Sequence, residues 1–443
     1  MRRTTSSNRR SASPLQHLRS SGDLDTGDLD TGLGGDYDTF SGFSGVHLGA
    51  YHNSDHSSSP FVSSQSLSGS PIDTIVDAYN LSNARPGTAN TASTTHETIH
   101  YFNETGEGQA KVIERTTTGE LVVVKTIRLD YDATYDDTLD LPNEVNMLSH
   151  HIRPHPNIVE LQKFRVETTA NGALLGKLYL THCNGGDLQT LHTHLASLSR
   201  PAPPLLILHF IASLADALAH LHLGLPPSNP HSTNPSPPNL AHTPILHNDI
   251  KLSNILLHWP SPPHPKPPNL PQIILADFGF SDPQPQTRGI CGTPYVYPPE
   301  IRAIATLERS NHRAYLRAAN QPVLTPASDI YTTGAALYEL ATGRVFDCEA
   351  ISGSEPKKLT ADFGKMGWEG EMGFVRGLAQ AMLIEAPQAR ITTEEVYEVG
   401  GLCKGKVGEM IGDGVEVPGW VFPAAQTRET LGGGKGKGGR GMI

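Results

Sequence analysis

Leu121-Val122-Val123-Val124 is a short β-branched run directly after Thr118-Gly119-Glu120. That pattern predicts a strand leaving a turn. A helical segment follows around Asn143 to His150, then a strand near Leu174 to Leu180. Leu205 to Leu221 has the apolar content and length of a long amphipathic helix, entered through Pro203-Pro204 and closed by Gly224. Ser328 to Leu340 and Phe374 to Leu383 read as two more helices. A strand-rich first part and a helix-rich second part predict an α+β chain of two lobes.

The flanks lack this order. Residues 1–97 are rich in Ser, Gly, Thr and Asp, with no sustained period of 2 or 3.6. Gly432 to Gly441 alternates Gly with Lys435, Lys437 and Arg440, as a basic tail would. Two proline-rich stretches, Leu225 to Pro244 and Pro260 to Pro271, interrupt the folded part. Proline at that density excludes helix and central strand, so surface loops are expected, with a Pro-motif-binding partner as their candidate ligand.

Composition narrows the classes. Only 37% of the 443 residues are hydrophobic, which suits one substantial domain with polar flanks. A net charge of -11 argues against a nucleic-acid partner or an anionic membrane surface. No stretch reads as the roughly 18 apolar residues of a membrane span. Cys183, Cys291, Cys348 and Cys403 fit neither a zinc pattern nor a disulfide framework, so a cytoplasmic or nuclear location is expected.

The chemistry concentrates in Ile245-Leu246-His247-Asn248-Asp249-Ile250-Lys251-Leu252-Ser253-Asn254 and in Leu275-Ala276-Asp277-Phe278-Gly279. Phosphoryl transfer needs oxygen ligands for a hard cation and a carboxylate that orients the attacking hydroxyl. Asp277 and Asn254 supply the first, and Asp249 the second.

These residues resemble the catalytic loop and Asp-Phe-Gly motif of eukaryotic protein kinases, except that Asn248 replaces the Arg of His-Arg-Asp. Lys125 ends the Val-rich strand where the family has its phosphate-contacting Lys, and Glu144 stands where its ion-pair partner belongs. His155-Pro156-Asn157-Ile158-Val159 matches the turn that follows. Downstream, Gly292-Thr293-Pro294 with Pro298-Pro299-Glu300 resembles the end of the activation segment. Asp329 matches the residue that anchors the catalytic loop, its plainer reading being a helix N-cap, and Arg390 matches the partner of Glu300.

The resemblance implies a bilobal fold, with a small antiparallel β-sheet lobe carrying one helix and a larger mainly α-helical lobe. It also implies ATP and Mg²⁺ as cofactors, and a protein substrate with a Ser or Thr acceptor. The Ser/Thr class follows from Lys251 two residues after Asp249, with Thr293 as the hydroxyl bonded to both. Catalytic roles then fall to Asp249, Lys251, Lys125 and Glu144, and metal binding to Asn254 and Asp277. Gly106, Gly108, Lys125, Leu180 and Cys183 would line the nucleotide site, and His247, Phe278, Gly279, Thr293, Glu300, Asp329 and Arg390 would support it.

Two departures qualify the resemblance. The glycine-rich loop keeps two glycines, either with Gly108 at the third position or with Gly106 and Gly108 at the first two. Asn248 cannot make the bidentate contact that Arg makes to a phosphorylated segment, so control by loop phosphorylation is not expected, although Ser281 and Thr287 lie within it. The alternative function is a pseudokinase serving as a nucleotide-binding or scaffold module. The expected division is 1–97, a kinase domain at 98–402 with insertions near 225–244 and 260–271, and a C-terminal extension at 403–443.

Overall fold

The fold is known from a computed structural model, which describes residues 96–101, 109–115, 118–129, 141–227, 242–259, 270–284, 290–310, 324–348, 362–363 and 373–423. Residues 1–95 of the expected N-terminal region, most of both proline-rich insertions and the basic tail lie outside these residues, and the expected boundary at 97/98 falls inside the first strand, His96–Tyr101.

The first lobe is an antiparallel sheet of β1 (His96–Tyr101), β2 (Gln109–Arg115), β3 (Leu121–Leu129), β4 (Leu161–Thr168) and β5 (Leu174–Thr181), in the order β1-β2-β3-β5-β4. Side chains alternate along β5, where Leu174, Leu178 and Leu180 are buried, because a strand turns successive residues to opposite faces. Lys125 pairs across the sheet with Ala110 on one side and Leu178 on the other. The segment expected to be one helix is α1 (Asn143–Asn146) continued by a π-helix, Met147–His151. The 3.6 period cannot announce that change of winding.

The second lobe is helical. Helix α2 (Leu188–Ser197) starts where the Asp187 carboxylate accepts the Thr190 N–H at 2.7 Å. Helix α3 (Pro204–Leu223) has Pro at its first turn and ends at Gly224, with φ 66°. It is long and apolar enough to cross a membrane, contrary to the reading of the sequence. Its apolar residues are instead packed in the core, including Leu206, Ile207, Ala217 and Leu218.

Short strands β6 (Ile245–Leu246), β7 (Ile255–His258), β8 (Gln272–Leu275) and β9 (Asp282–Pro283) pair as β6–β9 and β7–β8. Then come α4 (Pro299–Ser310), α5 (Pro326–Thr342), α6 (Gly373–Met382) and α7 (Thr393–Gly412). A capping box formed by Thr325 and Ser328 opens α5, so the N-cap is Thr325 and not Asp329.

Helix α7 lies against α3 at close range. A Cβ at Gly400 would sit 2.3 Å from that of Ala215. The expected boundary at 402/403 falls inside α7, and beyond it Cys403, Val417 and Val421 are buried in the core. The strap after α7 also folds back on the domain. Arg200 lies over the Trp420 ring at 4.4 Å, and Phe422 meets Trp259 edge-on at 5.2 Å. Asn184, next to the linker residue Cys183, bonds both backbone groups of Trp259, at 2.7 and 3.1 Å.

Candidate active site

Strands β6 and β7 bracket the loop that carries Asp249 and Asn254, and α5 holds that loop from below. Asp329, fully buried, accepts the backbone N–H of His247 at 2.7 Å and that of Asn248 at 2.9 Å. His222 of α3 donates to the same carboxylate at 3.1 Å, and its other ring nitrogen meets the Thr393 hydroxyl at 2.9 Å. Burial raises the Asp329 pKa, but the His222 hydrogen bond and the backbone N–H of His247 outweigh it, so the net shift is downward.

His247 then fixes the loop from within. Its Nδ1 accepts the Asp249 N–H at 3.2 Å, which leaves Nε2–H to donate to the Ala276 carbonyl at 3.0 Å. The ring also meets Phe278 at 4.8 Å. This ties the two motifs that the sequence had placed on separate segments.

Asp249 is buried among donors. Thr293 Oγ1 donates to Oδ1 at 2.6 Å, Lys251 Nζ to Oδ2 at 2.8 Å, and Asn254 Nδ2 to Oδ2 at 3.0 Å. Asn254 Nδ2 also donates to the Asp249 carbonyl at 2.9 Å. Both contacts use the amide nitrogen, so the Asn254 side-chain oxygen is left as an acceptor. Lys251 Nζ reaches Thr293 Oγ1 at 2.8 Å, completing a small ring of polar groups. Gly292, at φ 89°, makes this approach feasible, since a Cβ there would lie 2.4 Å from the Asn248 carbonyl.

On the sheet side, Lys125 Nζ lies 3.0 Å from Glu144 Oε2 and 3.0 Å from Asp277 Oδ1. Burial lowers the lysine pKa, but the two carboxylates outweigh it and the net shift is upward. For Glu144 burial dominates and raises the pKa against the pull of Lys125. For Asp277 burial also raises it, but Lys125 more than offsets that and holds the acid below its ordinary range. Asp277 and Asn248 are two non-glycine residues in the left-handed region, at φ 66° and 65°. Such strain is retained where the surroundings fix it, and it gathers at functional sites.

The remaining predicted residues divide. Leu180 and Cys183 are buried at the junction of the lobes, and burial pushes the Cys183 thiol up to about 12, so it is an inert neutral thiol. Arg390 meets Glu300 at 3.2 and 3.3 Å, and Ser328 Oγ donates to Glu300 at 2.7 Å. Gly106, Gly108 and Thr287 lie outside the described residues, and with them the register of the glycine-rich loop. Ser281 is 1% exposed and donates to the His247 carbonyl at 3.4 Å, so it is a packed residue and not an accessible phosphate acceptor.

Sequence reasoning missed Asn143, His222 and Thr393. No spacing signals His222 and Thr393, since they meet across 171 residues. Asn143 had one clue, its place beside Glu144. A cavity of about 400 Å³ lined by Leu148, Ile152, His155 and Leu161 includes none of the site residues. Among the described residues no three His, Cys, Asp or Glu side chains gather as a metal cluster. The carboxylate of Asp277 and the amide oxygen of Asn254 are nonetheless the hard oxygen donors that suit Mg²⁺, which keeps most of its shell for water and phosphate.

Comparison with known proteins agrees with this geometry. The protein kinase domain family matches residues 100–399. The chain is 26% identical over 343 residues to the serine/threonine-protein kinase ATG1 of Chaetomium globosum, covering 67% of this chain and 31% of that protein. It is 26% identical over 236 residues to the MAP kinase kinase kinase wis4 of Schizosaccharomyces pombe, covering 51% and 13%. With the mouse serine/threonine-protein kinase TAO3 it shares 27% over 204 residues, covering 45% and 18%. The chain thus spans a third or less of the length of these relatives.

Proposed function

The chain belongs to the protein kinase family, and from that premise we propose that it transfers the γ-phosphoryl group of ATP to Ser or Thr hydroxyls of protein substrates. The observation that carries this reading is the ring of Asp249, Lys251, Asn254 and Thr293, complete and tied to the segment bearing Asp277.

Asp249 orients the acceptor hydroxyl and takes its proton at Oδ, since that carboxylate is fixed by three donors from known directions. Lys251, bonded to Asp249 at 2.8 Å, lies beside the same oxygen and offsets charge on the group in transit. Thr293 holds both and leaves the substrate-side face of the loop in one arrangement. Lys125 neutralises phosphate oxygens, and Glu144 keeps its Nζ aimed into the cleft. Asn254 and Asp277 would hold Mg²⁺. When bound, ATP supplies the phosphoryl group and Mg²⁺ disperses its charge. Leu180 and Cys183 are the apolar walls offered to the adenine, whose polar edge backbone groups read.

Control should not run through a phosphate on the activation segment. Asn248 carries no charge, and its amide donates to the Phe280 carbonyl at 2.9 Å instead of waiting for an anion.

The test is phosphoryl transfer from labelled ATP to generic Ser/Thr substrates, run beside Asp277→Asn. Transfer by the parent and none by the variant supports the enzyme. Equal signals would indicate a contaminant. Thermal stabilisation by ATP without transfer would favour a pseudokinase that binds nucleotide as a scaffold.

A further inference from the structure

We propose that Asn143 and Asn248 form a two-sided amide clamp on the segment Gly279–Ser281, and that both are positioning residues for phosphoryl transfer. This rests on the kinase reading above and goes beyond it, by naming what holds the activation segment where a phosphate is not used.

Asn143 is the first residue of α1, directly before Glu144. Its Nδ2 donates to the Gly279 carbonyl at 3.0 Å and to the Ser281 carbonyl at 2.6 Å. From the catalytic loop, Asn248 Nδ2 donates to the Phe280 carbonyl that lies between them, at 2.9 Å. Three successive carbonyls therefore receive donors from two different elements. The turn they belong to is closed by the Ser281 N–H on the Phe278 carbonyl at 3.2 Å, and Ser281 Oγ reaches back to the His247 carbonyl at 3.4 Å. Beyond it the chain enters the β6–β9 pair, with Leu246 opposite Asp282.

The choice of amide suits the task. A primary amide has two N–H donors, and Asn143 uses one on each carbonyl. A guanidinium in the buried place of Asn248 would need an anion to offset its desolvation, whereas a neutral amide bonded to a carbonyl needs none. Asn248 is also the residue type, after glycine, that best tolerates its φ of 65°. Its Oδ1 is buried and makes no hydrogen bond among the described residues, so the side chain is held by what it donates.

The clamp has a mechanical consequence. Asn143 fixes the start of the helix whose next residue, Glu144, holds Lys125, and Lys125 holds Asp277 two residues before Gly279. Helix, lysine and segment thus form a closed circuit of contacts. Loss of the Asn143 link frees the helix start and the segment together.

The experiment uses the full chain, treated with phosphatase before assay, as the parent and as Asn143→Ala, Asn143→Asp and Asn248→Ala. Asn143→Asp keeps the size but turns carboxylate oxygens toward two carbonyls. Expected are a kcat about tenfold lower in Asn143→Ala and lower still in Asn143→Asp, a peptide KM within about twofold, and a Tm within about 3 °C. Amide hydrogen exchange should rise at 279–282 and stay unchanged in α3. Unchanged kcat in both Asn143 variants, or unchanged exchange at 279–282, overturns the clamp. So does a parent that loses its activity to phosphatase. If the parent transfers no phosphate at all, the kinase reading fails by itself. Exchange then decides the clamp, faster exchange at 279–282 upholding it and unchanged exchange removing it.

Discussion

Asp329 in the helical lobe and Glu144 in the sheet lobe are both buried carboxylates that aim a catalytic group, yet their surroundings differ in kind. Asp329 receives two backbone N–H groups and a histidine ring, and its pKa falls although burial raises it. Glu144 depends on the ammonium of Lys125, and there burial wins and the pKa rises. Donors fixed in the fold stabilise an anion at no further entropic cost, while a lysine must be held in place to do so. The half of the site around Asp249 is thus a rigid scaffold, and the half around Lys125 is adjustable.

The largest effect that can break this comparison is Asp329→Ala. It leaves the His247 and Asn248 N–H groups buried without an acceptor and His222 without its anion, at a cost of about 3–5 kcal/mol. Urea unfolding should show that loss, with activity falling alongside. A variant as stable as the parent would remove the scaffold claim.

Lys125→Met should behave in the opposite manner. Glu144 and Asp277 both lose a counter-ion when the lysine goes, but no backbone N–H group is left buried without an acceptor, so folding stability should fall by less than in Asp329→Ala. The rate kcat/KM should nevertheless fall at least about 100-fold. Melting curves and steady-state kinetics on one preparation check both halves.

The smallest effect sharpens the rule that fixed donors set the direction of the shift. Glu339 is buried, accepts the Phe346 N–H at 2.9 Å, and has an Oε2 with no hydrogen-bond partner among the described residues. Burial pushes its pKa up to about 7 from 4.5. An acid raised on folding contributes stability below its unfolded pKa and loses it as pH rises through its folded one. That contribution should therefore be lost between about pH 4.5 and 7, and Glu339→Gln should flatten the slope there by a few °C of Tm. An unchanged slope would show that donors to Glu339 are not what is lacking.

How much of this was legible depended on sequence distance. The strand at Leu121–Leu129 and the helix at Pro204–Leu223 announced themselves because their periods are local. The catalytic loop and Asp277 were readable because their chemistry sits in short runs. His222 on Thr393 was not, because nothing local records a meeting of α3 with α7. The π-helix after Asn146 was hidden for a different reason, since a change of winding over five residues is too short to leave a period of its own. Ser281 read as an acceptor because burial of a single hydroxyl is decided by tertiary packing alone.

The strap that follows α7 bears on how the protein is cut for expression. The family match stops at residue 399, seven residues into α7 and just before Gly400 meets Ala215. A gene truncated there would strip Cys403, Val417 and Val421 from the core and leave Trp259 without its Phe422 contact. The uncovered apolar surface of α3 would favour inclusion bodies over soluble protein. A shortened gene that keeps residues through 423 preserves every one of those contacts.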